Sequence, residues 1–311
     1  MRTVLRRISL LIIAMLMQAS VNSFSQENKD STGTGSNESP TPQKAESWYT
    51  TKPVAEKVWR IDDHGSDNLY LVEGNEKALL IDTGLGVADL AGFIKSITAL
   101  PVTVVNTHGH PDHAGGNSQF KVVYAHPSDF EMTERSSGGA YRTATIRRVL
   151  QEAPGLASQV LHDTAGLTAP KLMPATGGMT FDLGGRKLEV VETAGHTQGS
   201  ICLLDAECKL LFTGDNDNTL VWLFLKDCLP LETYLKTLRK VQARSAEFET
   251  LLPGHGDPID KAFIGEQIAC VENILSGACK GEPYQSFAGN ALVCSYKRAG
   301  VAFDPDNLKE K

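Results

Sequence analysis

Five of the chain's eight histidines fall in short polar clusters, and two aspartates stand with them. The densest cluster is His108-Gly109-His110-Pro111-Asp112-His113, three imidazoles and one carboxylate within six residues. Imidazole nitrogen and carboxylate oxygen are groups that zinc takes at close range, and a catalytic zinc keeps one position open for water. In a loop, His108 and His110 can turn toward one ion while Asp112 and His113 turn toward another. Gly109 lets the backbone approach closely, and Pro111 stiffens the turn. His196, Asp215 and His255 follow in three later clusters, Gly195-His196-Thr197-Gln198-Gly199-Ser200, Thr213-Gly214-Asp215 and Pro253-Gly254-His255-Gly256.

Each cluster stands just after a predicted strand. Residues 58–61, 68–73 and 77–82 read as strands, the last two joined across Gly74-Asn75, where a tight turn needs positive φ. The third strand stops at Asp82-Thr83-Gly84. Residues 89–100 place Leu90, Phe93, Ile94 and Ile97 at helical spacing and end before Pro101. Residues 102–106 form a β-branched run of the kind buried on both faces of a sheet, and the densest cluster lies at its end. Later, 188–192 leads to His196, a hairpin of 201–204 with 209–213 ends at Asp215, and 248–252 leads to His255. Residues 231–242 and 261–275 read as helices and 291–296 as a late strand. Between about 127 and 174 the chain reads as helices with a flexible insertion, which either borders the site or only packs. Loops at strand ends, held by a rigid sheet, are where α/β proteins place ligands and catalysts.

The clusters match the His-x-His-x-Asp-His signature of the metallo-β-lactamase superfamily, and the rest of that family's pattern follows in order. The Asp82-Thr83-Gly84 turn also fits, while Gln198 stands where the family more often has Pro. The resemblance covers nearly all of residues 58–257. It implies an α/β fold, a four-layer αββα sandwich, and two zinc ions per chain. His108, His110 and His196 would hold the first ion, Asp112, His113 and His255 the second, with Asp215 bridging both. Manganese or iron can occupy such His and carboxylate sites as well. The resemblance further implies a metal-bridged hydroxide as nucleophile, oriented by Asp112, which would then carry a proton to the leaving group. Asp82, Thr197 and Ser200 are candidates for the partners that fix the imidazole tautomers, although Ser200 equally suits a turn or cap.

The bridging residue narrows the reaction. True β-lactamases of the superfamily usually carry Cys or Ser where this chain has Asp215; an Asp there resembles the glyoxalase II branch and related thioesterases, lactonases and phosphodiesterases. The expected activity is hydrolysis of an ester, thioester or lactone-type acyl bond in a small molecule. Acyl-homoserine lactonases tend to place a Tyr soon after this Asp, whereas Asn216, Asp217 and Asn218 follow here. The alternatives are a β-lactamase, an acyltransferase that passes the acyl group to a bulky apolar alcohol in the same site, and a non-catalytic metal-binding protein. Presence of all seven ligand residues weighs against the last. The run Leu220-Val221-Trp222-Leu223-Phe224-Leu225 is either a buried strand or helix segment, or the wall of an apolar pocket lined by Trp222 and Phe224. His64, near Asp62, Asp63 and Asp67, lies either at the site mouth or in a solvated loop; His126 and His162 read as structural.

A net charge of −7 over 311 residues argues against nucleic acid as a partner, because phosphate binding needs a basic footprint. Arg2, Arg6 and Arg7 precede an apolar run at 8–17. That run is shorter than the roughly twenty residues of a transmembrane helix. It suits a secretory signal over residues 1–25 cleaved near Gln26, with a retained anchor as the alternative. Residues 26–47 read as a flexible linker and 48–311 as one catalytic domain, periplasmic or secreted, with no stable membrane insertion after cleavage. Six cysteines in that portion either form disulfides or remain buried thiols, and none has the Cys-x-x-Cys spacing of a zinc site.

Overall fold

Strand residues alternate between two faces, and in this chain both faces of the central strands are apolar, so each sheet must be covered twice. The structure is a computed structural model that describes residues 47–162 and 168–310. The expected signal segment and nearly all of the expected linker lie outside the described residues. The first sheet has seven strands in sequence order: β1 (Tyr49–Ala55), β2 (Val58–Asp63), β3 (Asn68–Glu73), β4 (Ala78–Ile81), β5 (Val102–Val105), β6 (Val122–Ala125) and β7 (Lys171–Pro174). The second sheet takes β8 (Thr180–Asp182), β9 (Lys187–Glu192), β10 (Ile201–Asp205), β11 (Leu210–Gly214), β13 (Thr250–Pro253) and β14 (Ile259–Asp260), ordered β14-β13-β11-β10-β9-β8. A third sheet, ordered β12-β17-β16-β15, joins β12 (Leu220–Leu223) to β15 (Glu282–Ser286), β16 (Gly289–Tyr296) and β17 (Ala299–Phe303).

The alternation sorts side chains into layers. Tyr70 and Val72 of β3 face Ile201 and Leu203 of β10, and Leu210 and Phe212 of β11, in the core between the two large sheets. Leu69 and Leu71 point the other way, onto Leu90 and Ile94 of α1 (Leu90–Ile97) and Ile146 of a later helix. Cys202, Leu204 and Leu211 likewise turn outward, onto Leu231 and Leu238 of one helix and Phe263 and Val271 of another. Each fully buried Leu or Phe of this kind contributes about 1.5–3 kcal/mol. The result is the expected four-layer αββα sandwich. The remaining helices are α2 (Pro111–Ala114), α3 (Phe130–Ser137), α4 (Gly139–Glu152), α5 (Leu231–Ala243) and α6 (Phe263–Leu275).

The third sheet is an addition to that plan, and Val221, Leu223, Val301 and Phe303 fasten it to the core beneath α5 and α6. The region expected as helices with an insertion holds α3, α4 and two short 3₁₀ turns before β7. Both readings of the cysteines are realised: Cys279 and Cys294 form a disulfide, while Cys202, Cys208, Cys228 and Cys270 are free thiols. Strand direction decides where the polar clusters go. β11 and β13 are parallel, and β9 runs with them because β9 and β11 are both antiparallel to β10. Their C-terminal ends therefore share one edge of the second sheet, and β4 and β5, parallel to each other, share an edge of the first.

Candidate metal centre

The loop after β5 begins with His108 and His110, and Pro111 then opens α2 at its first position, where its missing N–H costs nothing. That single turn of helix carries Asp112 on its accessible side and His113 on its buried side. Three further strand ends supply His196, Asp215 and His255. The imidazoles of His108, His110 and His196 converge: His108 Nε2 lies 3.1 Å from His110 Nδ1, which lies 2.9 Å from His196 Nε2. His113 Nε2 lies 3.4 Å from Asp215 Oδ1 and 3.9 Å from Asp112 Oδ1. His255 Nε2 lies 3.3 Å from Asp215 Oδ2 and 3.6 Å from Asp112 Oδ2. Asp215 also faces the first trio, with Oδ2 3.6 Å from His196 Nε2. All seven expected ligand residues are thus brought together.

The other nitrogen of each ring already has a partner. His108 Nδ1 meets Thr107 Oγ1 at 3.1 Å, and His110 Nε2 meets Asp227 Oδ2 at 2.7 Å. His113 Nδ1 meets Asp82 Oδ2 at 2.9 Å. His196 Nδ1 and His255 Nδ1 meet the backbone oxygens of Trp222 and Ser66 at 2.8 and 2.9 Å. Donation outward from five rings leaves five nitrogen lone pairs pointing inward, toward one another and toward two carboxylates. Among the described residues, His113 Nε2 and Asp215 Oδ1 are buried without any hydrogen-bond partner. Inward lone pairs at this spacing repel unless a cation stands between them, and three groups of these residues bring their ligand atoms within 4.8 Å of one another. The donor set fits metal ions.

Electrostatics divides the cluster in two. Burial, aided by the neighbouring His110, pushes His196 down to about 4, and burial with His113 and His110 holds His108 well below the usual range. These rings are neutral and ready to ligate. Burial also opposes charge on His113 and His255, but Asp215 and Asp112 outweigh it and hold both well above the usual range, so a metal ion competes with a proton for these two inward nitrogens. Burial would raise Asp112 and Asp215 in turn, and the facing His113 and His255 bring both well below it.

Supporting residues explain how the loops hold still. Asp82 adopts φ +64°, an uncommon left-handed backbone for a residue with a side chain. From there its carboxylate accepts from Thr107 N, Thr107 Oγ1 and His113 Nδ1 at 2.7, 2.8 and 2.9 Å, tying the ends of β4 and β5 to α2. Gly254 needs its bare backbone, since a Cβ there would stand 2.6 Å from Asp215 Oδ1 and 2.7 Å from His113 Cε1. Thr197 and Ser200 support the loop without holding an imidazole. They bond each other at 2.8 Å, and Thr197 Oγ1 donates to Asp129 Oδ2 at 2.6 Å. Buried Asp129 also accepts from Gly109 N and Gly199 N, so it clamps the His108 loop to the His196 loop. Neither Asp129 nor Asp227 was singled out by the sequence, because a lone Asp has no informative spacing.

The other sequence candidates fall outside the cluster. His64 stacks on Trp48, with ring centroids 4.5 Å apart, and is not among the residues brought together. His126 caps the turn at Pro127–Asp129, and His162 bonds the carbonyl of Ala157 at 2.6 Å. Trp222 and Phe224 are half-buried with ring centroids 5.2 Å apart, and it is the Trp222 backbone carbonyl, not its ring, that meets His196.

Fold and centre together define a class, and sequence comparison agrees: the chain belongs to the metallo-β-lactamase superfamily, whose profile matches residues 63–255. The expected hydrolase class stands with it. The chain is 31% identical over 236 residues to an acyl-coenzyme A thioesterase, MBLAC2, of Homo sapiens, covering 67% of this chain and 81% of that protein. It is 25% identical over 208 residues to an atrochrysone carboxyl ACP thioesterase, nsrC, of Aspergillus novofumigatus, covering 65% of this chain and 53% of that protein. A solved metallo-beta-lactamase from Pontibacter korlensis superposes with a TM-score of 0.51 at 22% identity, over 72% of this chain and 99% of that one, a likeness of fold.

Proposed function

We propose that the chain is an exported dinuclear zinc hydrolase that cleaves acyl thioesters, with residues 48–311 as its catalytic domain. The observation that carries this reading is the position of Asp215, whose two oxygens face both groups of imidazoles at 3.3–3.6 Å, as a bridge between two ions requires. The names of the similar proteins favour a thioester over the ester, lactone and β-lactam alternatives. When bound, two cations acidify a shared water and polarise the acyl carbonyl.

The chain's own residues then do the rest. His108, His110 and His196 would bind one ion, Asp112, His113 and His255 the other, each ring aimed by the partner behind it. Asp112 is one-third exposed, so its carboxylate reaches the mouth where substrate enters while touching the second group. It is placed to take the proton that water loses and to pass it to the departing sulfur. Water adds across the C–S bond: its oxygen ends on the acyl carbon and its proton on the thiol.

The test presents zinc-loaded protein with thioesters, simple esters, lactones and β-lactams and reads the products by mass spectrometry. Thiol release is expected, reduced by about 10²–10⁴-fold in Asp112→Ala, with metal content measured on the same sample. Turnover of esters or β-lactams with no thiol released would overturn the thioester reading. A fully loaded Asp112→Ala variant at wild-type rate would remove Asp112 from the proton path.

A further inference from the structure

Four aromatic side chains gather around the strand whose Trp222 carbonyl holds His196. Along β12, Val221 and Leu223 are fully buried in the core beneath α5 and α6. The alternation of the strand turns Trp222 to the opposite face, and Phe224 follows it there, both half-buried. The β15–β16 hairpin brings Tyr284 and Phe287 onto the same cluster. Trp222 lies 5.4 Å from Phe287 and 6.2 Å from Tyr284, and Phe224 lies 6.1 Å from Tyr284, centroid to centroid. Phe287 is 61% exposed, the most exposed large apolar side chain among the described residues.

This cluster is strapped to the metal centre. The Trp222 carbonyl accepts from His196 Nδ1 at 2.8 Å, and five residues on, Asp227 holds His110 Nε2 at 2.7 Å. On the His255 side the surroundings are polar instead, a cavity of about 230 Å³ lined by Arg60, Asp62, Ser66, Asp67 and Asp257 among others. The strand that carries the aromatic cluster thus adjoins the His196 side of the centre, and the polar residues adjoin the His255 side. Tyr284 and Phe287 lie beyond residues 63–255, so half of the wall comes from chain outside the match to the family.

We propose that Trp222, Phe224, Tyr284 and Phe287 form the platform for the apolar acyl group of the substrate, so that the enzyme prefers medium- and long-chain acyl thioesters to acetyl thioesters. The proposal rests on the thioester reading for its reaction, but the binding platform can be tested apart from it. Contact of a hydrocarbon chain with an exposed ring removes apolar surface of both from water, which is the source of the preference.

Two measurements on the zinc-loaded protein decide it. The first compares kcat/KM for acetyl, octanoyl and palmitoyl thioesters of coenzyme A in wild type and Phe287→Ser, a change at an exposed position. Wild type should prefer octanoyl, and Phe287→Ser should cut the octanoyl-to-acetyl ratio about ten-fold, mainly through KM. The second titrates a brominated fatty acid, which quenches tryptophan on contact, against wild type and Trp222→Phe; quenching should saturate in wild type and largely vanish in the variant. Equal turnover of all chain lengths without quenching overturns the platform and leaves the thioester reading intact. Quenching with no thioester turned over upholds the apolar site and retires the thioester reading. A concentration-dependent dimer that Phe287→Ser abolishes, with no quenching, would assign the rings to a contact between copies and overturn the proposal.

Discussion

Asp227 decides which nitrogen of His110 is free. Its Oδ2 accepts a hydrogen bond from Nε2–H at 2.7 Å, so Nδ1 turns toward His108 and His196 with its lone pair bare. Removing such an outer partner typically weakens a metal site about 10–100-fold. Asp227→Ala should therefore lose about that much zinc affinity at the first trio, measured by competition with a chromophoric chelator. Unchanged affinity would show that His110 is held in place by packing alone. The seven candidate ligand residues were legible in the sequence because residue type and spacing coincide in them: three imidazoles and a carboxylate in six positions have few other uses. Asp227 was not, being one of 37 acidic residues and reaching His110 across 117 positions of chain. Thr197 and Ser200 were legible as polar supports, yet only the fold shows that Thr197 donates to Asp129, and Ser200 bonds Thr197, rather than either holding a ring.

Elements were legible where one strand serves two cores. β3, β10 and β11 announce themselves because residues 69–72, 201–204 and 210–212 are unbroken apolar runs. The third sheet was legible only in its strand at 291–296, since β12 is four residues long and pairs in parallel with a strand at the far end of the chain, Leu220 opposite Gly300. Its hairpin strand β15 reads Glu-Pro-Tyr-Gln-Ser, with no apolar alternation. That hairpin is pinned by Cys279–Cys294, which closes a loop of sequence separation 15. A loop of this size corresponds to about 3 kcal/mol in the chain-entropy account. Cys279→Ser should lower unfolding free energy by about that amount in a denaturant titration. A loss of only a few tenths would show that packing on α6 already fixes the hairpin.

At the scale of the whole molecule, the metal centre is also a cross-brace. Its residues come from the ends of β5, β9, β11 and β13, in two layers that also share an apolar core and hydrogen bonds such as Tyr70 Oη to the Pro253 carbonyl. Ions that bind the folded state alone stabilise it, by about 2.7 kcal/mol when free metal exceeds the dissociation constant a hundredfold. For a domain of this size, chelation should lower the melting temperature by about 5–10 °C. A melting curve indifferent to chelator would speak against ions at this centre. The bridge at the rim has a separate consequence, in electrons. Joining Cys279 to Cys294 removes two hydrogens and requires an oxidant, a condition met outside the reducing cytosol. Protein made in a reducing host would carry every candidate ligand residue and yet arrive with the hairpin of Tyr284 and Phe287 held by strand pairing and packing without the bridge. Two preparations of one sequence would then carry the same candidate ligands and differ in the bridge beside that hairpin, and an alkylation count of the thiols would tell them apart.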